Sequence, residues 1–254
     1  MPIPDPAVQH FRSPAPSGRR RIRHWHVGCA FALLTLVTTG NARAGDWDLA
    51  VGMVSDVLVR GIALNDHAIV PHASLDYYDP HGWFVGVSAD LVRPDEYYAE
   101  SGQLLVRAGY AWSPVQDWSV QLGYLHYAYP ASTYLRDYAY DEFSASLAWR
   151  DTLAFTISAS PDTQFGRTPS EPTAALDLTA RYPLSEHIAV VGGLGYRDLH
   201  RLFDTGYTYG NAGLEFRFGP VIAGLAYVAT SADAKRLFGK NAADRWAGSV
   251  LWHF

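Results

Sequence analysis

The chain has 254 residues with 20 Lys or Arg against 25 Asp or Glu, a formal charge of −5, and its single cysteine is Cys29. One cysteine excludes an internal disulfide scaffold and a thiolate metal cluster. Only Lys235 and Lys240 are lysines and no basic run follows residue 44, so nucleic acid is not an expected partner.

From the N-terminus, Arg19, Arg20, Arg21 and Arg23 precede an apolar run at 27–37, which is followed by the small-residue triplet Ala42-Arg43-Ala44. Basic, apolar and small segments in that order predict a secretory signal peptide over 1–44, cleaved after Ala44. The apolar run falls short of the roughly 20 residues that a membrane helix requires. Six of the 20 basic residues and one of the 25 acidic ones lie before Gly45, so the expected mature chain, 45–254, carries 14 and 24, a formal charge of −10.

Beyond Gly45 the period is two residues, not 3.6. Trp47, Leu49, Val51, Met53, Val57 and Val59 fall on one face of the first segment, with Asp48, Gly52, Asp56 and Arg60 on the other. That pattern belongs to a strand with one apolar and one wet side. It recurs at 69–78, 83–91, 103–112, 118–124, 142–149, 153–159, 176–182, 187–196, 211–218, 221–229 and 244–254, twelve segments in all. The links alternate. Short ones (79–82, 113–117, 150–151, 183–186, 219–220) are interleaved with long ones (62–68, 92–102, 128–140, 160–172, 197–206, 230–242). An all-β transmembrane barrel, antiparallel and up-and-down, has this sorting of short periplasmic turns and long outer loops. A soluble sandwich has no cause for it.

Trp47, Tyr77, Trp83, Tyr110, Trp112, Trp118, Trp149, Tyr182, Phe218 and Trp252 cluster at strand ends beside the short turns, as an aromatic belt at one membrane interface would. Trp246, Val250 and Trp252 alternate toward a terminal Phe254. This ending resembles the signature by which bacterial outer-membrane proteins are recognised for insertion, which makes the barrel-assembly machinery an expected partner alongside outer-membrane lipids. Both termini are expected to be periplasmic.

The octapeptide Ser55-Asp56-Val57-Leu58-Val59-Arg60-Gly61-Ile62, with Ser74-Leu75-Asp76-Tyr77, Gly82-Trp83-Phe84-Val85-Gly86, Gly123-Tyr124, Tyr127-Ala128-Tyr129-Pro130 and Glu142, resembles the TorF family of bacterial porins. Val57 stands where that family has an aromatic. The resemblance implies an outer-membrane pore and specifies no solute.

By parity the inward face carries Asp48, Asp56, Arg60, Asp76, Asp90, Arg107, Glu142, Asp177, Arg181, Glu215, Arg217 and Arg245, with Gly52, Gly86, Gly109, Gly123, Gly193, Gly195, Gly213 and Gly224 on the same side. Charges of both signs tolerate a hydrated lumen where they would not tolerate an apolar core, and the small residues leave room for arginines to cross a narrow interior. His72-Ala73-Ser74 has the His/Ser spacing of outer-membrane phospholipases, but parity turns the pair inward and no asparagine follows on the next strand. The expected function is a narrow channel for passive diffusion of small polar solutes or ions, without cofactor, metal or catalysis. The alternatives are a lipid-modifying enzyme and a sealed, adhesive barrel.

Overall fold

The computed structural model describes residues 30–31, 45–65, 69–92, 101–130, 135–150, 152–165 and 168–254. Of the expected signal peptide it describes only Ala30–Phe31, a two-residue strand beside Leu58–Val59; the rest lies outside the described residues. Twelve strands follow: β1 (Asp46–Val54), β2 (Val70–Tyr78), β3 (Trp83–Val92), β4 (Ser101–Val115), β5 (Trp118–Ala128), β6 (Tyr140–Trp149), β7 (Leu153–Thr163), β8 (Glu171–Pro183), β9 (Ile188–Leu199), β10 (Thr205–Phe218), β11 (Val221–Thr230) and β12 (Arg245–His253). Each pairs antiparallel with its neighbour in sequence, and β12 pairs with β1 to close the barrel. Closure leaves no open edge, a requirement for a sheet whose backbone must be satisfied away from water.

Alternation sets which side chain faces which medium. Leu49, Val51 and Met53 on β1, Phe155 and Ile157 on β7, and Leu176 and Leu178 on β8 point outward and are exposed. Asp76, Glu142, Thr156, Ser158 and Asp177 point inward and are buried. An apolar exterior of this extent fits hydrocarbon, not water. The belt expected from sequence forms one rim, with Trp47 on Tyr77 (centroids 4.9 Å apart), Trp83 on Tyr110 (4.8 Å) and Tyr110 on Trp112 (5.6 Å).

Two expectations are corrected. Alternation continued the first strand to Arg60, whereas β1 ends at Val54 and the chain leaves the wall. Val57 and Val59 accordingly pack inside the barrel and do not face lipid. Residues 197–206 were also expected to form a long loop. Instead β9 runs to Leu199, β10 starts at Thr205, and only the one-turn helix α1 (His200–Phe203) and Asp204 join them. This link, 200–204, is shorter than expected but still longer than any of the short turns, and Arg197 becomes a wall residue.

Candidate functional site in the barrel lumen

The segment between β1 and β2 folds into the lumen. Leu58–Val59 pairs with Ile62–Ala63 in a two-rung hairpin whose turn residues, Arg60 (φ 50°) and Gly61 (φ 80°), both have positive φ. Two such residues make the turn that matches strand twist, and glycine at the second position avoids the Cβ penalty. The base is tied to β12: the Ser55 amide donates to the Gly248 carbonyl (2.8 Å), and the Gly248 amide donates to Ser55 Oγ (2.8 Å). The Val57 amide donates to Asn65 Oδ1 (2.7 Å) and the Leu64 amide to the Val57 carbonyl (2.8 Å).

The hairpin reaches most of the circumference. Val57 packs with Val54, Val70, Val92 and Tyr129; Val59 with Leu105, Leu125, Tyr127 and Tyr140; Leu58 and Ala63 with Val228 and Ala247; Ile62 with Leu199, Tyr207 and Tyr209. At its tip the Arg60 guanidinium donates to both oxygens of Glu142 on β6 (Nη1 2.7 Å, Nη2 2.9 Å) and to Ser158 Oγ on β7 (3.1 Å), and Nε lies 3.8 Å from Asp177 on β8. In a ring of twelve strands β7 stands opposite β1, so the hairpin and its tip side chain together span the lumen. Arg60 and Glu142 are 1% and 2% exposed, so the pair is desolvated and each ion depends on the other.

Sequence parity had put Asp56 and Arg60 on one strand face, about 13 to 14 Å apart at the rise of an extended chain. Because the chain leaves the wall at Ser55, they instead point to different walls. Asp56 accepts from Arg245 Nη1 on β12 (3.0 Å), and Arg245 also donates to the carbonyls of Ala243 (3.1 Å), Lys240 (2.7 Å) and Asn241 (3.2 Å).

The remaining inward charges pair along the wall, often over an intervening strand. Arg107 on β4 grips both oxygens of Asp76 on β2, its Nε 2.6 Å from Oδ1. It passes over Gly86 of β3, where an added Cβ would lie 1.8 Å from Asp76 Oδ1. Tyr209 on β10 donates to Asp177 on β8 over Gly195 of β9, whose absent Cβ would lie 2.3 Å from the ring. Arg181 donates to Glu215 (Nη2 2.8 Å) over the same strand, with Arg217 3.6 Å from that carboxylate. Asp90 meets His72 Nδ1 at 2.7 Å, and Asp48 meets His253 Nδ1 at 3.0 Å. At the long-loop end, α2 (Ala232–Phe238) carries Lys235, whose ammonium 2.8 Å from Asp244 holds that carboxyl below its ordinary range.

The Gcw_chp family, described as bacterial proteins of unknown function, matches residues 42–254. The chain belongs to this family. The Gcw_chp barrel is similar in fold to the solved structures of the KdgM porin (TM-score 0.52, 11% identity) and the NanC porin (TM-score 0.53, 13% identity), each aligned over 82% of this chain and 98% of that one. No curated protein matches the sequence.

Alternation did not reveal the Gcw_chp hairpin. Arg60-Gly61 between apolar pairs, with Asn65 four residues on, was the available turn signal, but the same residues also satisfied a strand pattern. Arg197 was missed because 197–206 read as loop, and Tyr209 because the strand pattern began only at Asn211, whereas β10 starts at Thr205. His72, whose spacing from Ser74 resembles the phospholipase pair, turns its Nδ1 to Asp90 (2.7 Å). Trp246, Val250 and Trp252 face outward on β12, and the Phe254 amide donates to the Leu49 carbonyl (2.9 Å), which continues the β12–β1 seam.

Proposed function

We propose that this Gcw_chp chain is an outer-membrane, porin-like channel for passive diffusion of small polar solutes or ions, with the 55–65 hairpin as its constriction. The observation that carries this is the hairpin itself: a polar, charge-lined lumen narrowed at one level by a segment whose tip is held by Arg60, Glu142 and Asp177. Charges of both signs at a narrow, low-dielectric passage act on every passing ion. The porin-like fold supports the reading, as does the resemblance of the 55–62 motif to TorF-family porins, since that motif builds the constriction. No residue set for catalysis enters the mechanism. A solute passes by exchanging part of its hydration for the paired wall groups, and the ion pairs keep the lumen near neutrality.

A second reading, a sealed structural barrel, draws on the apolar packing of Val57, Leu58, Val59 and Ile62 against the surrounding wall. Conductance of the purified protein in planar bilayers separates the two. Discrete single-channel steps are expected; their complete absence, with no solute flux into proteoliposomes, would sink the channel reading.

The strand number is even and the first and last strands are paired, which supports placing both termini on the periplasmic side with the short turns. Insertion is proposed to use the barrel-assembly machinery through the outward alternation of Trp246, Val250 and Trp252 ending in Phe254, with outer-membrane lipids contacting the apolar exterior. Deleting Phe254 is expected to lower the outer-membrane fraction severalfold while secretion across the inner membrane continues. Cell fractionation with unchanged outer-membrane recovery would show that the terminal residue has no part in assembly.

A further inference from the structure

Among the inward arginines Arg197 is the exception. It lies on β9 one inward position nearer the long-loop end than Gly195, which is in register with Asp177. Its residue is 4% exposed. The guanidinium stands over the rings of Tyr140 on β6 (5.6 Å to centroid) and Phe165 after β7 (5.5 Å), so aromatic rings hold its charge. No carboxylate pairs with it among the described residues; Glu142 and Asp177, the acids at the neighbouring level, are taken by Arg60.

Among the described residues its Nε and Nη2 are buried without a hydrogen bond of good geometry, as are the hydroxyls of Tyr140, which lies beside Tyr127, and of Tyr207, which lies beside Arg197 itself and is its register partner on β10. Buried donors of this kind are costly to leave unpaired. Nε–H and Nη2–H lie along one edge of the guanidinium, pointing the same way, and that edge matches two oxygens of a planar anion. Arg107 grips Asp76 by the same two nitrogens, and Arg181 turns the same two to Glu215. In Arg197 this edge meets no carboxylate among the described residues.

We propose that Arg197, with the Tyr140 and Tyr207 hydroxyls, forms a binding site for the carboxylate of a solute entering from the long-loop end, just before the Arg60 constriction. The site deepens the channel reading by naming a solute class, and rests on it. Phe165 is the part of the enclosure that belongs to a loop and not to the wall, so the solute enters on its side. Bound there, a carboxylate accepts two charge-assisted hydrogen bonds and up to two from phenols, while neutral polar solutes gain only the phenols.

The test is calorimetric titration of the purified, detergent-solubilised protein with gluconate, with glucose as the neutral counterpart and inorganic phosphate as the tetrahedral one. Gluconate binding is expected, glucose binding is not, and phosphate is expected to be weaker. Arg197→Gln is expected to weaken gluconate at least about tenfold, the scale of losing hydrogen bonds to a charged group. Arg197→Lys is expected to do nearly the same, because an ammonium keeps the charge and loses the fork. Tyr207→Phe, which leaves the arginine in place, gives a smaller loss and serves if the arginine variants do not fold. Lack of gluconate binding by the wild type, an Arg197→Lys variant equal to it, or phosphate binding as tight as gluconate would each overturn the site. Calorimetry does not depend on conduction. A protein that binds gluconate but passes no current refutes the channel and keeps the site, and one that conducts without binding does the reverse.

Discussion

Arg60→Ala is expected to raise single-channel conductance and to shift ion preference toward cations. The guanidinium joins the hairpin tip to polar groups of β6, β7 and β8, namely Glu142, Ser158 and Asp177. Removing it frees the tip from the far wall and leaves Glu142, 2% exposed, without its cation. Breaking a buried pair by deleting one partner costs about 3 to 5 kcal/mol, so the variant is also expected to unfold at lower temperature in a heat-modified gel assay. Two lumen carboxylates released from one guanidinium make the passage net negative, which sets the sign of the selectivity change. Adding Glu142→Gln should recover much of the thermal loss, because the more deeply buried of the two charges is then removed and Asp177 keeps its hydrogen bond from Tyr209, while conductance stays high. Reversal potentials and step sizes equal to wild type in Arg60→Ala would show that the hairpin tip does not limit the pore.

Gly86→Ala is expected to destabilise the barrel by about 3 kcal/mol, the scale of breaking one buried ion pair, although alanine is otherwise a mild substitution in a strand. Its Cβ would stand 1.8 Å from Asp76 Oδ1 and 2.8 Å from Arg107 Nε, and both belong to the pair that spans β3. Asp76 is 5% exposed, so it has little freedom to retreat into lumen water. Gly102→Ala is the matched control, since nothing lies within 4 Å of the Cβ added there. Urea unfolding in detergent should separate the two variants clearly. Equal midpoints would mean that Asp76 and Arg107 re-pair around the methyl group, and that the crossing does not need a glycine.

The twelve strands, their facing and the aromatic belt were legible in the sequence because each follows from a period of two and from the partition of side chains between an apolar and a wet medium. Leu176, Asp177, Leu178 and Thr179 show it directly: neighbours along the chain lie in different media. Alternation near 55–60 was legible too, and misled. Val57 and Val59 satisfy a lipid-facing pattern as well as they satisfy packing against Val92 or Leu105 inside the barrel, since both surroundings are apolar.

Parity within a strand also determined that Asp76, Arg107, Asp177, Arg181, Glu215 and the other inward charges share the lumen. It could not say which meets which. Arg107 finds Asp76 over Gly86, and Tyr209 finds Asp177 over Gly195, because barrel closure and stagger set the register of strands two apart. Arg60 finds Glu142, 82 residues away, only because closure puts β6 to β8 opposite β1. Local pattern, a matter of one chain segment and its solvent, was thus determined by the sequence by itself. The inward turn at Ser55, the pairing across the lumen and the aromatic enclosure of Arg197 were decided by the tertiary structure, because each depends on the distance between segments that only a closed barrel brings together.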